Sequence, residues 1–334
     1  MLRGSAIVVT YNSRVWIERC LEALISQPGW EVILIDNASQ DDTVARASKF
    51  ASQVRIVANT ENKGFSGGVN QGVKLASTDI LALVNPDAIA APGALDKLAD
   101  AIVNCNAGAA GGLLLEKGRP QVGNMRRFPT LPVFMAELLL LNSLWYRNPW
   151  NRSYRYIDLD YARPQPVEQP AGANLAFRRA AWESVGGFDE RFYPAWFEDG
   201  DFCYCLHKAG WTTMYEPAAV FDHEGNSCGR QLPFYNHKLL WHQNLLRYFR
   251  KHHGRLTCAV LRAGITTGSL LRAFLSLFSP PEGKRAPVSR REAISAYVRL
   301  AWNVGIWPAK APHDSPTPLA EPPEIGGVRG STAA

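Results

Sequence analysis

The chain has 334 residues, of which 46% are hydrophobic and 20% are charged. This composition excludes an intrinsically disordered or fibrous protein and allows a sizeable core, in one large domain or two small ones. The six cysteines include no pair at zinc-finger spacing, which favours reduced thiols over a disulfide framework. The apolar run Ser5–Thr10 is too short for the core of a secretory signal, so we expect a cytoplasmic location.

The net charge of +6 is unevenly distributed along the chain. Residues 226–310 contain 14 Lys and Arg against 2 Glu, a local balance of +12. Such a region is typical of proteins that bind phosphate-rich surfaces, either nucleic acid or anionic lipid. Within it, Leu256–Phe278 is apolar but is interrupted by Arg262 and Arg272, which argues against a membrane-spanning helix. An interfacial amphipathic helix and an ordinary packed helix with two solvated arginines both fit this pattern.

Strand and helix patterns alternate through the first hundred residues, which predicts a doubly wound α/β fold with a mostly parallel sheet. The predicted strands are Ala6–Thr10, Glu31–Asp36, Val54–Ala58 and Ile80–Val84, and the helices between them are Arg14–Ser26, Asp41–Phe50 and Gly67–Leu75. In such sheets, ligands bind at the carboxyl ends of the strands. We therefore expect three polar strand ends to share one ligand-binding rim: Thr10-Tyr11-Asn12, Asp36-Asn37 and Asn85-Pro86-Asp87.

The pattern is less regular in the second block of the chain, from Gly111 to His223. Strands are predicted there at Ala173–Arg178, Thr212–Glu216 and Ala218–Phe221, and helical patterns resume at Pro233–His253 and Val288–Asn303. From Pro308 onward the chain is rich in Pro, Ala and Gly, which predicts a disordered tail. We therefore predict an α/β domain (1–230), a basic amphipathic helical region (231–307) and a tail (308–334).

The segment Trp196–Asp201 places three carboxylates, those of Glu198, Asp199 and Asp201, in four positions behind an aromatic approach. Like charges this close are costly unless a cation or a proton-exchanging reaction uses them. A charged surface turn also tolerates such a cluster, but surface turns rarely carry this many flanking aromatic residues. We expect the cluster to be the working edge of a site.

Two features of the first hundred residues suit a nucleotide or another anion. A carboxylate at the end of a buried strand, such as Asp36, accepts hydrogen bonds from a ring N–H or a ribose hydroxyl. Helix capping is the alternative role, although Ser39 or Asp41 can cap and leave Asp36 free. The segment Asn62–Asn70 is a glycine-rich turn into a helix, suited either to backbone contact with an anion or to a structural turn.

A possible cation site follows the most apolar strand of the chain, Ile80–Val84. A lone carboxylate at that point, Asp87, suits a hard divalent cation that shares its oxygen ligands with substrate phosphates. A proline-containing turn is the alternative interpretation of Asn85-Pro86-Asp87. His223 lies beyond the strand Ala218–Phe221 and either supplies a second ligand to the same cation, bonds a phosphate, or is structural.

Taken in order along the chain, these motifs resemble glycosyltransferase family 2 and, within it, the bacterial rhamnosyltransferase-type branch. The resemblance covers residues 5–230 and is carried by Val8–Asn12, Ile35–Ser39, Asn62–Phe65, Asn85–Asp87, Gly186–Glu190, Glu198–Asp201 and Gly210-Trp211. It implies a GT-A fold, a sugar-nucleotide donor and inversion at the anomeric carbon. One departure is Asn85, which replaces the first carboxylate of the family's DXD-type metal motif.

The resemblance also implies roles for individual residues. The donor nucleotide and its diphosphate would be bound by Thr10, Tyr11, Asn12, Asp36, Asn62, Lys63, Gly64 and Asn85. Asp87 and His223 would hold Mg²⁺ or Mn²⁺, and Asp199 would be the catalytic base. Trp196, Glu198 and Asp201 would lie on the acceptor side.

We therefore expect an inverting glycosyltransferase, best matched by transfer of L-rhamnose from dTDP-rhamnose to a hydroxyl of a lipid-linked or growing cell-envelope glycan. A polyprenyl-diphosphate-linked acceptor would meet the enzyme at the membrane, where the basic C-terminal region would hold it peripherally on the anionic inner face of the plasma membrane. We expect no nucleic-acid partner, because that region contains no recognised module. A non-catalytic module that binds a nucleotide-sugar or a glycan is the alternative function.

Overall fold

A ten-stranded mixed sheet lies at the centre of the protein. The structure, a computed structural model, describes residues 2–225, 231–278 and 288–306. The strands are β1 (Gly4–Thr10), β2 (Trp30–Asp36), β3 (Val54–Ala58), β4 (Ile80–Val84), β5 (Ala88–Ala90), β6 (Ala109–Glu116), β7 (Arg119–Pro120), β8 (Met125–Arg126), β9 (Gln165–Pro166), β10 (Gln169–Pro170), β11 (Asn174–Arg178) and β12 (Thr213–His223). Strands β8 and β10 form a separate two-stranded sheet.

Helices cover both faces of this sheet and form the C-terminal region. They are α1 (Ile17–Ile25), α2 (Thr43–Ala47), α3 (Gly64–Leu75), α4 (Ala94–Asn104), α5 (Leu131–Leu138), α6 (Leu141–Leu144), α7 (Pro149–Tyr154), α8 (Arg179–Ser184), α9 (Glu198–Lys208), α10 (Phe234–His252), α11 (Gly254–Leu275) and α12 (Arg290–Leu300). A 3₁₀ turn at Ser48–Phe50 follows α2, and a π-helical turn at Ala301–Ile306 follows α12. The predicted tail, 308–334, lies outside the described residues.

The main path through the sheet runs in the order β3-β2-β1-β4-β11-β6-β12-β5. The first four strands in this order are parallel to one another. Strand β11 is antiparallel to β4 and β6, and β12 is parallel to β6 but antiparallel to β5. The predicted α/β fold with a mostly parallel sheet is thus confirmed. The second block of the chain joins the parallel half through β11, which pairs with β4, and β5 pairs with β12 at the other edge of the sheet.

Several element boundaries differ from the sequence prediction, and three of the differences have a local explanation. Helix α1 begins at Ile17 instead of Arg14, because the Ser13 carbonyl accepts the N–H groups of Trp16 and Ile17 in a preceding turn. Helix α3 begins at Gly64, where the Asn62 side chain accepts the Gly64 N–H at 2.8 Å. The two predicted strands before His223 are one strand, β12, whose register shifts at a bulge between Glu216 and Val220.

Strands β1, β2 and β4 of the parallel half are buried on both faces, which fixes a three-layer core. In β1, Ala6 and Val8 pack in the cluster that includes α1 and α4, whereas Ile7 and Val9 pack in the cluster that includes α3. Helix α3 lies unusually close to the sheet, because a Cβ atom on Gly72 would be only 2.5 Å from Cγ2 of Ile7. This packing brings the start of α3 to the carboxyl ends of β1 and β2.

The C-terminal helices pack against the rest of the chain instead of standing apart. Helices α10, α11 and α12 share an apolar cluster with α5 that includes Phe134, Leu245, Leu261 and Leu300. The Arg272 side chain is not solvated, since its guanidinium donates to the carbonyls of Glu137 and Leu138 at the end of α5. In the described part of the chain, α11 alone has the length and hydropathy of a membrane span, which is weak evidence because packed helices meet the same criteria.

The close packing of α3 on β1 can be tested by adding one methyl group. In an ordinary helix interior, Gly→Ala stabilises by about 1 kcal/mol. We expect Gly72→Ala instead to destabilise the protein by about 1–3 kcal/mol, because the methyl group must displace the buried Ile7 side chain. Urea unfolding measures this change, with exposed Lys74→Ala on the same helix as the control. A more stable Gly72→Ala variant would contradict the packing.

Candidate active site

The carboxyl ends of β1 and β4 open into a cavity of about 530 Å³. Nine of the predicted site residues line it: Thr10, Tyr11, Asn62, Asn85, Asp87, Trp196, Glu198, Asp199 and His223. Five do not: Asn12, Asp36, Lys63, Gly64 and Asp201. The polar strand ends and the first half of the acidic cluster therefore face the same space, although they are more than a hundred residues apart in sequence.

Asp36, the last residue of β2, is bonded to the loop that follows, and this corrects the expectation that its carboxylate is free. Its Oδ2 atom accepts the Ser39 N–H at 2.9 Å, and its Oδ1 atom accepts the Ser39 hydroxyl. Burial raises the pKa of Asp36, against the effect of these bonds. Asn12 is bonded into the same loop, because its N–H donates to Ser39 Oγ at 2.8 Å and its side-chain oxygen accepts from the Gln40 N–H at 2.7 Å.

Asn37, a strand-end residue of the predicted rim, also lines the cavity. Its side-chain amide donates to the Gly64 carbonyl at 2.9 Å and so connects the end of β2 to the start of α3. Gly64 has a φ of 73° and contacts Tyr193 where a Cβ atom would be, which explains a glycine at this position. Lys63 is exposed and borders a separate, shallower cavity with Glu190. Gly64 and Asn12 therefore shape the rim, whereas Thr10 and Tyr11 face the cavity.

Asp87 and His223 meet at the edge of the sheet, because β12 pairs with β5 and places His223 opposite Ala88. Both side chains are buried, and the His223 Nε2 atom lies 3.5 Å from the Asp87 Oδ1 atom. The His223 Nδ1 atom lies 2.9 Å from Gln121 Oε1. With Nδ1–H donated to that oxygen, Nε2 presents its lone pair toward the carboxylate. A nitrogen and an oxygen ligand then face one another across a space that suits a divalent cation.

Asp199 lies in the first turn of α9, where its carboxylate is oriented from several sides. Its Oδ1 atom accepts the Gly200 N–H at 2.7 Å and the Gln169 side-chain amide at 3.3 Å. Its Oδ2 atom accepts the Gly172 N–H at 3.2 Å. These bonds come from β10, from the loop after it and from α9 itself, so the carboxylate has one fixed direction relative to the cavity.

Glu198 is buried, and its Oε2 atom has no hydrogen-bond partner among the described residues. Burial and the adjacent Asp199 raise the pKa of the Glu198 carboxyl well above its usual range. The neutral form of Glu198 is therefore favoured. Of these two neighbouring acids, Asp199 is the one placed to carry the negative charge in the cavity.

Asp201 faces away from the cavity, unlike the prediction for the acceptor side. Its carboxylate accepts from Lys251 Nζ at 2.7 Å and lies 2.6 Å from His252 Nε2, at the end of α10. Cys205 lies close enough to complete a possible three-ligand group with Asp201 and His252. The Lys251 ammonium already neutralises Asp201 and would repel a metal ion there. We therefore describe this group as an ionic contact between α9 and α10.

The cavity is also lined by residues that were not among the predicted site residues: Arg126, Tyr154, Arg155, Phe197, His237 and Trp241. Phe197 contacts Trp241, with ring centroids 5.3 Å apart, and Trp196 contacts His237 at 4.7 Å. Both Trp196 and Phe197 have left-handed backbone conformations, with φ values of 78° and 71°. Such conformations are unfavourable for bulky residues, and here the rings of α10 hold them.

The fold and this cavity define an α/β protein with a site at the carboxyl ends of its strands. The site combines two facing side chains that suit a divalent cation, Asp87 and His223, with the oriented carboxylate of Asp199. Residues 5–185 match the family model described as glycosyl transferase family 2. A relative from Mycobacterium tuberculosis H37Rv, N-acetylglucosaminyl-diphospho-decaprenol L-rhamnosyltransferase, is 31% identical over 82% of this chain and 92% of its own length. The chain belongs to glycosyltransferase family 2 and is a glycosyltransferase.

More distant relatives agree with this assignment. Dolichol-phosphate mannosyltransferase from Pyrococcus furiosus is 28% identical over 35% of each chain. A solved mannosyltransferase from Pyrobaculum calidifontis, in complex with GDP-Man and Mn²⁺, is 18% identical, covers 91% of this chain and 87% of its own, and has a TM-score of 0.51. This structural likeness supports the GT-A fold.

Proposed function

We propose that the protein is an inverting enzyme that transfers L-rhamnose from dTDP-rhamnose to a hydroxyl of a lipid-linked cell-envelope glycan. The observation that carries the proposal is the shared cavity, in which the Asp87–His223 pair and the Asp199 carboxylate face one space. The choice of sugar and acceptor is supported by the Mycobacterium tuberculosis relative, whose name specifies L-rhamnose and a decaprenol-diphosphate-linked acceptor.

The donor half of the site would be built by the ends of β1, β2 and β4. Thr10, Tyr11 and Asn62 line the cavity beside Asn85 and would contact the nucleotide, while Asp36, Asn12 and Gly64 hold the loops that carry them. Asp87 and His223 would hold Mg²⁺ or Mn²⁺. When bound, the cation would supply charge neutralisation to the departing nucleoside diphosphate.

In the acceptor half, Asp199 would act as the general base. It accepts the proton of the acceptor hydroxyl as that oxygen bonds to the anomeric carbon, and the bond from this carbon to the diphosphate oxygen breaks on the opposite face. One displacement of this kind inverts the anomeric configuration. Gly172 and Gln169 would keep the carboxylate aimed at the hydroxyl, and the neutral form of Glu198 avoids a second charge beside it.

A lipid-linked acceptor requires the enzyme to work at a membrane, and the C-terminal helices offer a contact surface. Leu270, Leu271, Phe274 and Leu275 of α11 are exposed, and Phe278 beyond it is 67% exposed. The region that includes them is strongly basic, which suits an anionic bilayer. We propose that the protein binds the membrane peripherally through this apolar strip. One side of α11 would then contact the lipid while the other packs against the protein.

The catalytic proposal predicts opposite behaviour for two neighbouring acids. With dTDP-rhamnose as donor, Asp199→Asn should lower kcat by about 10²–10⁴-fold and leave donor affinity unchanged. Glu198→Gln should retain most of the activity, because glutamine resembles the neutral acid. Radiolabelled transfer and calorimetric donor binding measure both. Equal losses in the two variants would contradict the assignment, and a wild-type protein that binds donors without turnover would instead be the non-catalytic module.

The cation proposal predicts that a substitution of Gln121 weakens metal binding, because Gln121 contacts His223 of the Asp87–His223 pair. Gln121→Ala should raise the Kd for Mn²⁺, measured by electron paramagnetic resonance, by about 10–100-fold, because Nδ1 of His223 loses its orienting partner. Val122→Ala, an exposed change in the same loop, serves as the control. Equal Mn²⁺ affinity in the wild type and Gln121→Ala would remove the support for this cation site.

The membrane proposal predicts that the protein co-sediments with vesicles containing anionic lipid and is released by salt. Replacing Phe274 and Phe278 together by Ser should weaken this binding by about tenfold or more, because two exposed apolar side chains are lost. Thermal unfolding should be unchanged, since both rings are exposed. Binding that ignores lipid charge, salt and both phenylalanines would rule out this surface.

A further inference from the structure

Two guanidinium groups lie on the wall of the cavity next to Asp199. Among the described residues that line it, Arg126 and Arg155 are the only lysines or arginines. Both are half-buried. Arg126 ends β8, and Arg155 directly follows α7, so tertiary structure alone brings them together.

The two side chains converge on Gly123. The Arg126 Nε–H donates to the Gly123 carbonyl at 2.9 Å, and a Cβ atom on Gly123 would lie 3.5 Å from Nη1 of Arg155. The Arg155 Nε–H is used in a 2.9 Å bond to the Asn151 side chain. Tyr154 is buried beside this group, because its hydroxyl is hydrogen-bonded to the Arg126 side chain and is close enough to Arg155 and Asp199 to interact with their charges.

Neither guanidinium is paired with an acid in the part of the chain that the structure describes. Among the residues that the structure describes, Arg126 and Arg155 form no ion pair, whereas their neighbours do: Arg127 pairs with Glu168 at 3.2 Å and Arg152 with Asp158 at 3.7 Å. Two cations on one cavity wall repel one another unless an anion lies between them. Guanidinium groups bind phosphate oxygens through paired N–H bonds, so a diphosphate fits this arrangement.

The position of the pair favours the acceptor over the donor as the source of that diphosphate. In the β8–β10 ladder Arg126 pairs with Gln169, whose side chain donates to the Asp199 carboxylate. The adjoining wall is aromatic, with Tyr154, Phe197 and Trp241. A phosphate site flanked by a base and by apolar rings suits a sugar linked through a diphosphate to a lipid.

We propose that Arg126 and Arg155 bind the diphosphate of a lipid-diphosphate-linked acceptor and thereby hold its sugar hydroxyl at Asp199. The identity of the reaction rests on the proposed function, but binding of the diphosphate needs no turnover. The two arginines would thus select diphosphate-linked acceptors over the same sugar on an uncharged carrier.

Farnesyl diphosphate, titrated in the absence of donor, tests the binding directly. Arg126→Gln and Arg155→Gln should each raise its Kd by about tenfold or more, and Arg126→Lys should have a smaller effect because it retains the charge. Arg152→Gln, an exposed change on α7, should leave the Kd unchanged. Equal Kd values in the wild type and both glutamine variants would overturn the proposal.

Kinetics then distinguish the acceptor from the donor as the diphosphate source. The glutamine variants should raise KM for a prenyl-diphosphate-linked sugar, but not for its uncharged alkyl glycoside or for dTDP-rhamnose. A parallel rise in the KM for dTDP-rhamnose would assign the arginines to the donor and overturn the proposal. The wild type could transfer no sugar while the glutamine variants still bound farnesyl diphosphate more weakly than the wild type. In that case the proposed function would be wrong, and the diphosphate-binding site would stand.

Discussion

The proximity of three carboxylates in the first turn of α9 is the constraint on which the rest of the site depends. They cannot all remain charged side by side without compensation, and the fold treats each one differently. Burial and the adjacent Asp199 raise the pKa of Glu198, Asp199 accepts three N–H bonds, and Asp201 is paired with Lys251 and His252. One negative charge is therefore left facing the cavity, at the position that the proposed chemistry requires.

This separation explains why the C-terminal helices contribute to the site. Helix α10 supplies the cation that neutralises Asp201, and it also supplies the rings that hold Trp196 and Phe197 in their left-handed conformations. The apolar cluster shared with α5 fixes α10 against the catalytic half. A change in the packing of α10 would consequently disturb the turn that carries Asp199.

The sequence predicts the parallel half of the fold well, because each buried strand is an apolar run and each strand end is polar. It also predicts the lining position of Asp87, His223 and Asp199, but not what holds them. Arg126 and Arg155 escaped prediction because they lie in a two-residue strand and just after a six-residue helix, where no periodicity exists. The bonds that Ser39 donates to Asp36 depend on the conformation of the loop after β2, and the pairing of Asp201 depends on tertiary contacts with α10. Sequence patterns do not encode either.

We propose above all that a metal ion binds the Asp87–His223 pair and that Asp199 of the acidic cluster faces the acceptor. A crystal structure of the protein with Mn²⁺ and dTDP, with the ion located by anomalous scattering, tests it most directly. The account predicts manganese bonded to Asp87 Oδ1 and His223 Nε2, with Asp199 free of metal. Manganese bonded to Asp199 or to the Asp201 group would contradict the division of roles proposed for the site.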